Sequence, residues 1–92
     1  MDLREAMIIW LWRSDVPGGE DCLIVWPKRR VIERRYYAAR PYRREIITAS
    51  WDDTKALRNL IYLAGWPIDV VLAVKEHGFP ELAEKMRKII DC

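Results

Sequence analysis

The residues of this chain best suited to chemistry are crowded into one short stretch. Between Lys28 and Arg44 lie eight of the sixteen basic residues and a single carboxylate, Glu33, so this segment carries +7. Seven of the eight are arginines (Arg29, Arg30, Arg34, Arg35, Arg40, Arg43 and Arg44), and Tyr36, Tyr37 and Tyr42 are interleaved with them. A guanidinium pairs with phosphate through two parallel hydrogen bonds and stacks on planar rings. Tyrosine and tryptophan offer π-faces worth about 1–3 kcal/mol per stacked base. Trp10, Trp12 and Trp26 lie just upstream of the basic run. Arginine beside aromatic residues is the chemistry of a groove that neutralises a nucleic-acid backbone and stacks its unpaired bases.

The other candidates lead to plainer roles. His77 stands alone beside Gly78 at a helix end, where capping or surface exposure suits it. Asp52 and Asp53 read as caps of the first helix. Glu20 and Asp21 fall in a turn, with no metal-ligand spacing around them. Gly18–Gly19 lacks the following lysine and helix of a phosphate-binding loop. No serine or cysteine is paired with a histidine by local spacing. Cys22 and Cys92 form no metal motif; they are thiols in a mesophilic cytosol, and in a hyperthermophile a bridge is open to them. The residues predict no enzyme, no metal and no cofactor.

Strands come first and helices second. Ala6–Arg13, Cys22–Trp26, Arg30–Ala38 and Glu45–Ala49 read as strands, with Asp15–Asp21 a turn built on Pro17 and Gly18–Gly19. Pro41 breaks the chain between the third and fourth. A first helix begins near Asp53, buries Leu57, Leu60, Ile61 and Ala64, and stops at Gly65. Pro67 starts a second that buries Ile68, Val71, Leu72 and Val74 and ends at Gly78. Pro80 opens a third with Leu82, Ala83, Met86, Ile89 and Ile90 inward. The class predicted is α+β: a four-stranded antiparallel meander (residues 1–50), then two or three short helices on one face of it (51–92), forming one domain.

Period-two alternation assigns the faces. Met7, Ile9, Leu11, Leu23 and Val25 suffice as a core face, which leaves Trp10, Trp12 and Trp26 on the opposite face or in a cleft beside the arginines of the third strand, unless the chain's own oligomer covers both sides of the sheet. In the third strand Arg30, Ile32, Arg34 and Tyr36 oppose Val31, Glu33, Arg35 and Tyr37, so only one of these sets can face a ligand. Two plainer accounts compete. Tryptophans in small domains mostly fill cores, and arginines on edge strands keep edges from pairing.

Composition sets the outer bounds. Ninety-two residues, 51% apolar and 33% charged, make one compact domain with no room for a second. The net charge of +2 conceals a −5 remainder outside the basic segment. The longest apolar run, Ala6–Trp12, is too short for a bilayer, and no cleavage site follows it, so a cytoplasmic protein off the membrane is expected. There is no glutamine, one asparagine (Asn59) and eleven arginines, a thermophile pattern.

Four strands rich in tryptophan and arginine followed by short helices resemble the ThermoDBP-related single-stranded nucleic-acid-binding proteins of archaea. WLWR at Trp10–Arg13, VWPKRR at Val25–Arg30 and RRYYAARPYRR at Arg34–Arg44 carry the resemblance. It implies binding of single-stranded DNA or RNA in a cleft with an apolar floor and basic walls. The longer members end in a zipper-like extension that this sequence lacks; its last helix and Cys92 still offer a route to a dimer or tetramer. Two other classes fit the composition. One is a small metal-independent endoribonuclease of the RelE kind, although those toxins place helices before the sheet. The other is an accessory subunit of a nucleoprotein complex. A helix-turn-helix from the last two helices fits less well, because acids outnumber bases from Pro67 onward.

The expected function is therefore non-catalytic binding of single-stranded nucleic acid with little sequence preference. Trp10, Trp12, Trp26, Tyr36, Tyr37 and Tyr42 would stack bases, and the seven arginines would hold phosphates. Neutralising about four to six phosphates gives a log K against log[salt] slope of roughly −3 to −4.

Overall fold

The structure, a computed structural model, describes residues 5–13, 18–39, 41–63 and 66–91. Four strands, β1 (Met7–Arg13), β2 (Gly19–Trp26), β3 (Val31–Ala39) and β4 (Tyr42–Ser50), precede three helices, α1 (Thr54–Tyr62), α2 (Pro67–Glu76) and α3 (Pro80–Asp91). The strands form one antiparallel sheet in the order β1-β2-β3-β4, the expected meander. All three helices lie on the same side: α1 against β4, α2 against β1, and α3 against both helices. The fold is α+β.

Local signals account for the helix ends. The Asp53 carboxylate caps α1 by accepting from the Ala56 amide at 3.1 Å. Pro67 and Pro80 open α2 and α3 at positions whose amides have no intrahelical partner. Gly78, at φ 92°, closes α2: its amide bonds the Lys75 carbonyl and the Phe79 amide the Val74 carbonyl. That is the paired 5→2 and 6→1 closure which a left-handed residue permits.

The core joins Ile9, Leu23, Val25, Ile32 and Ala49 of the sheet to Leu57, Leu60 and Ile61 of α1, Val70, Val71 and Val74 of α2, and Leu82, Ala83, Met86 and Ile89 of α3. Trp51, just after β4, is buried with them and packs edge-on against Phe79. Two expectations for α2 fail. Ile68 and Leu72 are exposed, and Val70 is buried in their place. Six of the ten α2 residues are aliphatic, so periodicity offered no polar face to set the helix's rotation. Ala64 and Gly65 lie outside the described residues, as do Asp15–Pro17 of the turn, Arg40 and Cys92.

Glu20 and Asp21 also depart from their expected turn, since β2 starts at Gly19 and contains both. Gly19 is extended, and its missing side chain serves a close approach. A Cβ there would stand 2.6 Å from Cζ3 of Trp12 and 2.8 Å from the Tyr37 carbonyl oxygen.

Arg30 precedes β3 at φ 55°, a left-handed turn position unusual for any residue but glycine. Its guanidinium bonds Asp52 (3.1 and 3.3 Å) and Glu81 (2.6 Å) and lies 5.0 Å from the centre of the Trp51 ring. Lys85 reaches Asp52 at 3.2 Å, so the network ties α3 to the β2–β3 turn. Arg30, and then Lys85, hold the Asp52 carboxyl below its ordinary 3.8. A carboxylate lowered by folding stabilises the native state above its unfolded pKa and loses that stabilisation as pH falls through the lower, folded value. Asp52→Asn is therefore expected to flatten the loss of stability below pH 3.8, read as melting temperature against pH.

Candidate nucleic-acid interface

Among the described residues, none covers the sheet face away from the helices. β2, β3 and β4 contribute Cys22, Ile24 and Trp26; Glu33, Arg35 and Tyr37; and Tyr42, Arg44 and Ile46. The antiparallel register places these side by side, as in the pairs Cys22↔Arg35, Ile24↔Glu33, Arg35↔Ile46 and Tyr37↔Arg44. Ile8 and Trp10 of β1 complete the floor opposite Ile24 and Cys22. Of these, Ile8, Trp10, Cys22, Ile24, Arg35, Tyr37, Arg44 and Ile46, joined by Glu20 and Tyr36, line a shallow basin of about 330 Å³ in which Cys22 and Ile24 are buried and Ile8, Trp10, Tyr37 and Ile46 remain exposed. Burial raises the Cys22 thiol above its ordinary pKa against the opposing pull of Arg35, so it is a protonated, apolar floor atom at neutral pH.

Strict alternation fails in β1, with consequences for the site. Trp10 pairs with Cys22 and Trp12 with Asp21, so Leu11 is an extra residue opposite no partner, a β-bulge. One inserted residue turns everything beyond it to the other face. Trp12 is thereby carried to the helix side, against the expectation that it joins Trp10. Arg13 is turned outward, opposite Glu20, with its guanidinium 5.1 Å from the centre of the Trp10 ring. Arg13 is thus a site residue absent from the sequence candidates, and no residue type around it signalled the bulge.

The remaining candidates divide by face. Trp10, Arg35, Tyr37, Tyr42 and Arg44 occupy the open face, with Tyr37 and Tyr42 edge-to-face at 5.8 Å. Trp26 is on that face too but half-buried, its indole N–H enclosed without an acceptor. Arg29 is exposed in the β2–β3 turn. Arg30 is committed to Asp52 and Glu81 on the helix side. Tyr36 and Arg43 also point to the helix side, where Arg43 bonds Glu45 and lies 5.9 Å from the Tyr36 ring centre.

Arg34 is the sharpest departure. It is completely buried, its guanidinium gripping both oxygens of Asp21 (2.9 and 2.5 Å) and donating to the carbonyls of Leu60 and Ile61 at 3.2 and 2.9 Å. All three guanidinium nitrogens are spent inside the protein, so Arg34 holds the end of α1 to the sheet and no phosphate reaches it.

Internal pairing also reduces the +7 of the basic segment. Lys28, Arg30, Arg34, Arg35 and Arg43 each meet a carboxylate: Glu5, Asp52 and Glu81, Asp21, Glu33, and Glu45 respectively. Among the described residues, Arg29 and Arg44 make no ion pair. Arg35 is exposed while Glu33 is largely enclosed, so a phosphate at Arg35 competes with Glu33 for the guanidinium. The open face thus offers Arg13, Arg35 and Arg44, with Arg29 at its rim, around an aromatic and aliphatic floor.

Compared with family models, with curated proteins and with solved structures, the chain finds no match in any of the three.

Proposed function

We propose that the open sheet face binds single-stranded nucleic acid without strong sequence preference and without catalysis. The observation that carries this reading is the exposure of Trp10, Tyr37 and Tyr42 on a sheet face that none of the described residues covers, with Arg13, Arg35 and Arg44 among its charged groups. An unpaired base presents two apolar faces that stack on such rings, while the guanidinium groups meet the backbone. Four arginines in reach of phosphates correspond to a log K against log[salt] slope of about −3 for single strands.

Titrating intrinsic tryptophan fluorescence with oligo-dT and with poly-rU tests the proposal. Quenching by both is expected, lost in Trp10→Leu, with labelled RNA recovered uncut. No quenching by either ligand overturns it.

Ile8 and Ile46 favour a second reading, because exposed aliphatic side chains on a sheet suit another apolar surface better than a base. In that reading a second copy of the chain covers the face. Light scattering separates the two: a dimer that Ile8→Lys converts to monomer supports copy-on-copy packing, and a monomer that binds oligo-dT supports the nucleic-acid face.

A further inference from the structure

The opposite side of the sheet carries a second cleft, which shares only Tyr36 with the lining of the open-face basin. It lies where β1 and β2 meet the start of α2, has a volume of about 400 Å³, and is lined by Leu11, Trp12, Asp21, Tyr36, Trp66 and Asp69. That volume falls within the roughly 300–1,000 Å³ of small-molecule sites. Three of its six lining residues are aromatic and two are acidic.

The cleft is built by departures from regular structure. The bulge at Leu11 turns Trp12 into it, and Gly19 provides the ring's seat, with no room there for a Cβ. Trp66 precedes Pro67 as the N-cap residue of α2, yet its side chain makes no capping bond, and it is 62% exposed. A large ring at a capping position, mostly in solvent, contributes little to the fold. The aromatic rings in mutual contact among the described residues are Tyr37–Tyr42 and Trp51–Phe79, so the three rings of the cleft leave the space between them open.

The charge of the cleft indicates its ligand. Asp21 is neutralised by Arg34; Arg43, whose guanidinium lies 5.9 Å from the Tyr36 ring centre, is neutralised by Glu45, so Trp12 and Trp66 are the rings of the cleft left to a cation. Asp69 makes no ion pair among the described residues and sits in the first turn of α2. The helix end contributes about +0.5 of a charge there, which a full carboxylate outweighs. A negative potential between aromatic faces attracts a cation. The polar groups are too few for an ammonium with three donors or a guanidinium with five, whereas a methylated ammonium requires no acceptor.

We infer that the Trp12–Tyr36–Trp66 cleft, with Asp69 at its edge, binds a methylated ammonium group. The group belongs either to a small quaternary amine or to a methylated lysine on a peptide. The test follows the indole N–H signals of Trp12 and Trp66 by NMR in the full chain. Choline is expected to shift both, and 3,3-dimethylbutan-1-ol, its uncharged counterpart of the same shape, to bind about tenfold more weakly or not at all. Trp66→Ala removes an exposed ring and is expected to abolish the Trp12 shift while leaving the melting temperature unchanged. Asp69→Asn is expected to weaken binding about 3- to 10-fold, and Gly19→Ala to weaken it by displacing Trp12. A trimethyl-lysine peptide binding more tightly than choline, with its unmethylated form inactive, assigns the source to a protein; equal affinities assign it to a small amine. Equal binding of choline and the alcohol, no shift with any probe, or unchanged binding in Trp66→Ala overturns the inference.

Discussion

Arg34→Ala is expected to cost about 3–5 kcal/mol, most of the stability of a domain this size. The substitution leaves the Asp21 carboxylate buried without a counter-charge and strips the Leu60 and Ile61 carbonyls of their donor. Each loss is large because the groups stay out of water after the partner is gone. Urea denaturation followed by near-ultraviolet circular dichroism measures it. Replacing both charges, as in Arg34→Met with Asp21→Leu, is expected to restore part of the loss, since it removes the stranded carboxylate. The double variant still leaves the two helix-end carbonyls unmet, at about 1–3 kcal/mol, so it stays below the wild type. A single-variant cost under about 1 kcal/mol would show that the pair is dispensable. Loss of nucleic-acid binding in Arg34→Ala would accordingly report unfolding and not a missing phosphate contact.

The second large effect belongs to the open face. Reversing Arg35 and Arg44 together to glutamate is expected to lower affinity for oligo-dT about 100-fold at 0.1 M salt and to flatten the salt slope by at least about 1.4. Each arginine lost releases fewer counterions, and each glutamate added repels the backbone. Arg44→Glu alone is the cleaner probe, because Arg44 has no carboxylate partner among the described residues, whereas reversing Arg35 also repels Glu33. Tyr37→Ala and Trp10→Ala are expected to reduce affinity with the slope unchanged, since stacking releases no ions. A double variant that binds as tightly as the wild type, measured by fluorescence anisotropy across a salt series, would remove the open face from the proposal.

These variants follow from features that differ in how far the sequence reveals them. The order of four strands and three helices was legible because each relies on local chemistry: branched and aromatic runs, the prolines at 41, 67 and 80, the glycine at 78, and the capping aspartate at 53. Period-two alternation also grouped Ile9, Leu23 and Val25 on one face and Trp10 on the other, because successive side chains of a strand point to opposite sides. The chain by itself therefore determined the architecture and the membership of the two sheet faces up to the bulge, but not which face the helices cover.

Tertiary structure decided the rest, for reasons rooted in pairing. A bulge depends on the register between two strands, and neither strand announces it, so Trp12 and Arg13 exchanged faces unseen. The partner of an arginine is a carboxylate distant in sequence: Arg34 meets Asp21 and Arg30 meets Asp52 only once the sheet and helices have assembled. A +7 segment read along the chain counts charges; in the fold most of its bases already hold a counter-charge, and those turned to the open face or left without a carboxylate are what remain for a ligand. The cleft between Trp12, Tyr36 and Trp66 is the extreme case. Its three rings come from β1, β3 and the start of α2, and only the packing of helix on sheet brings them to one place.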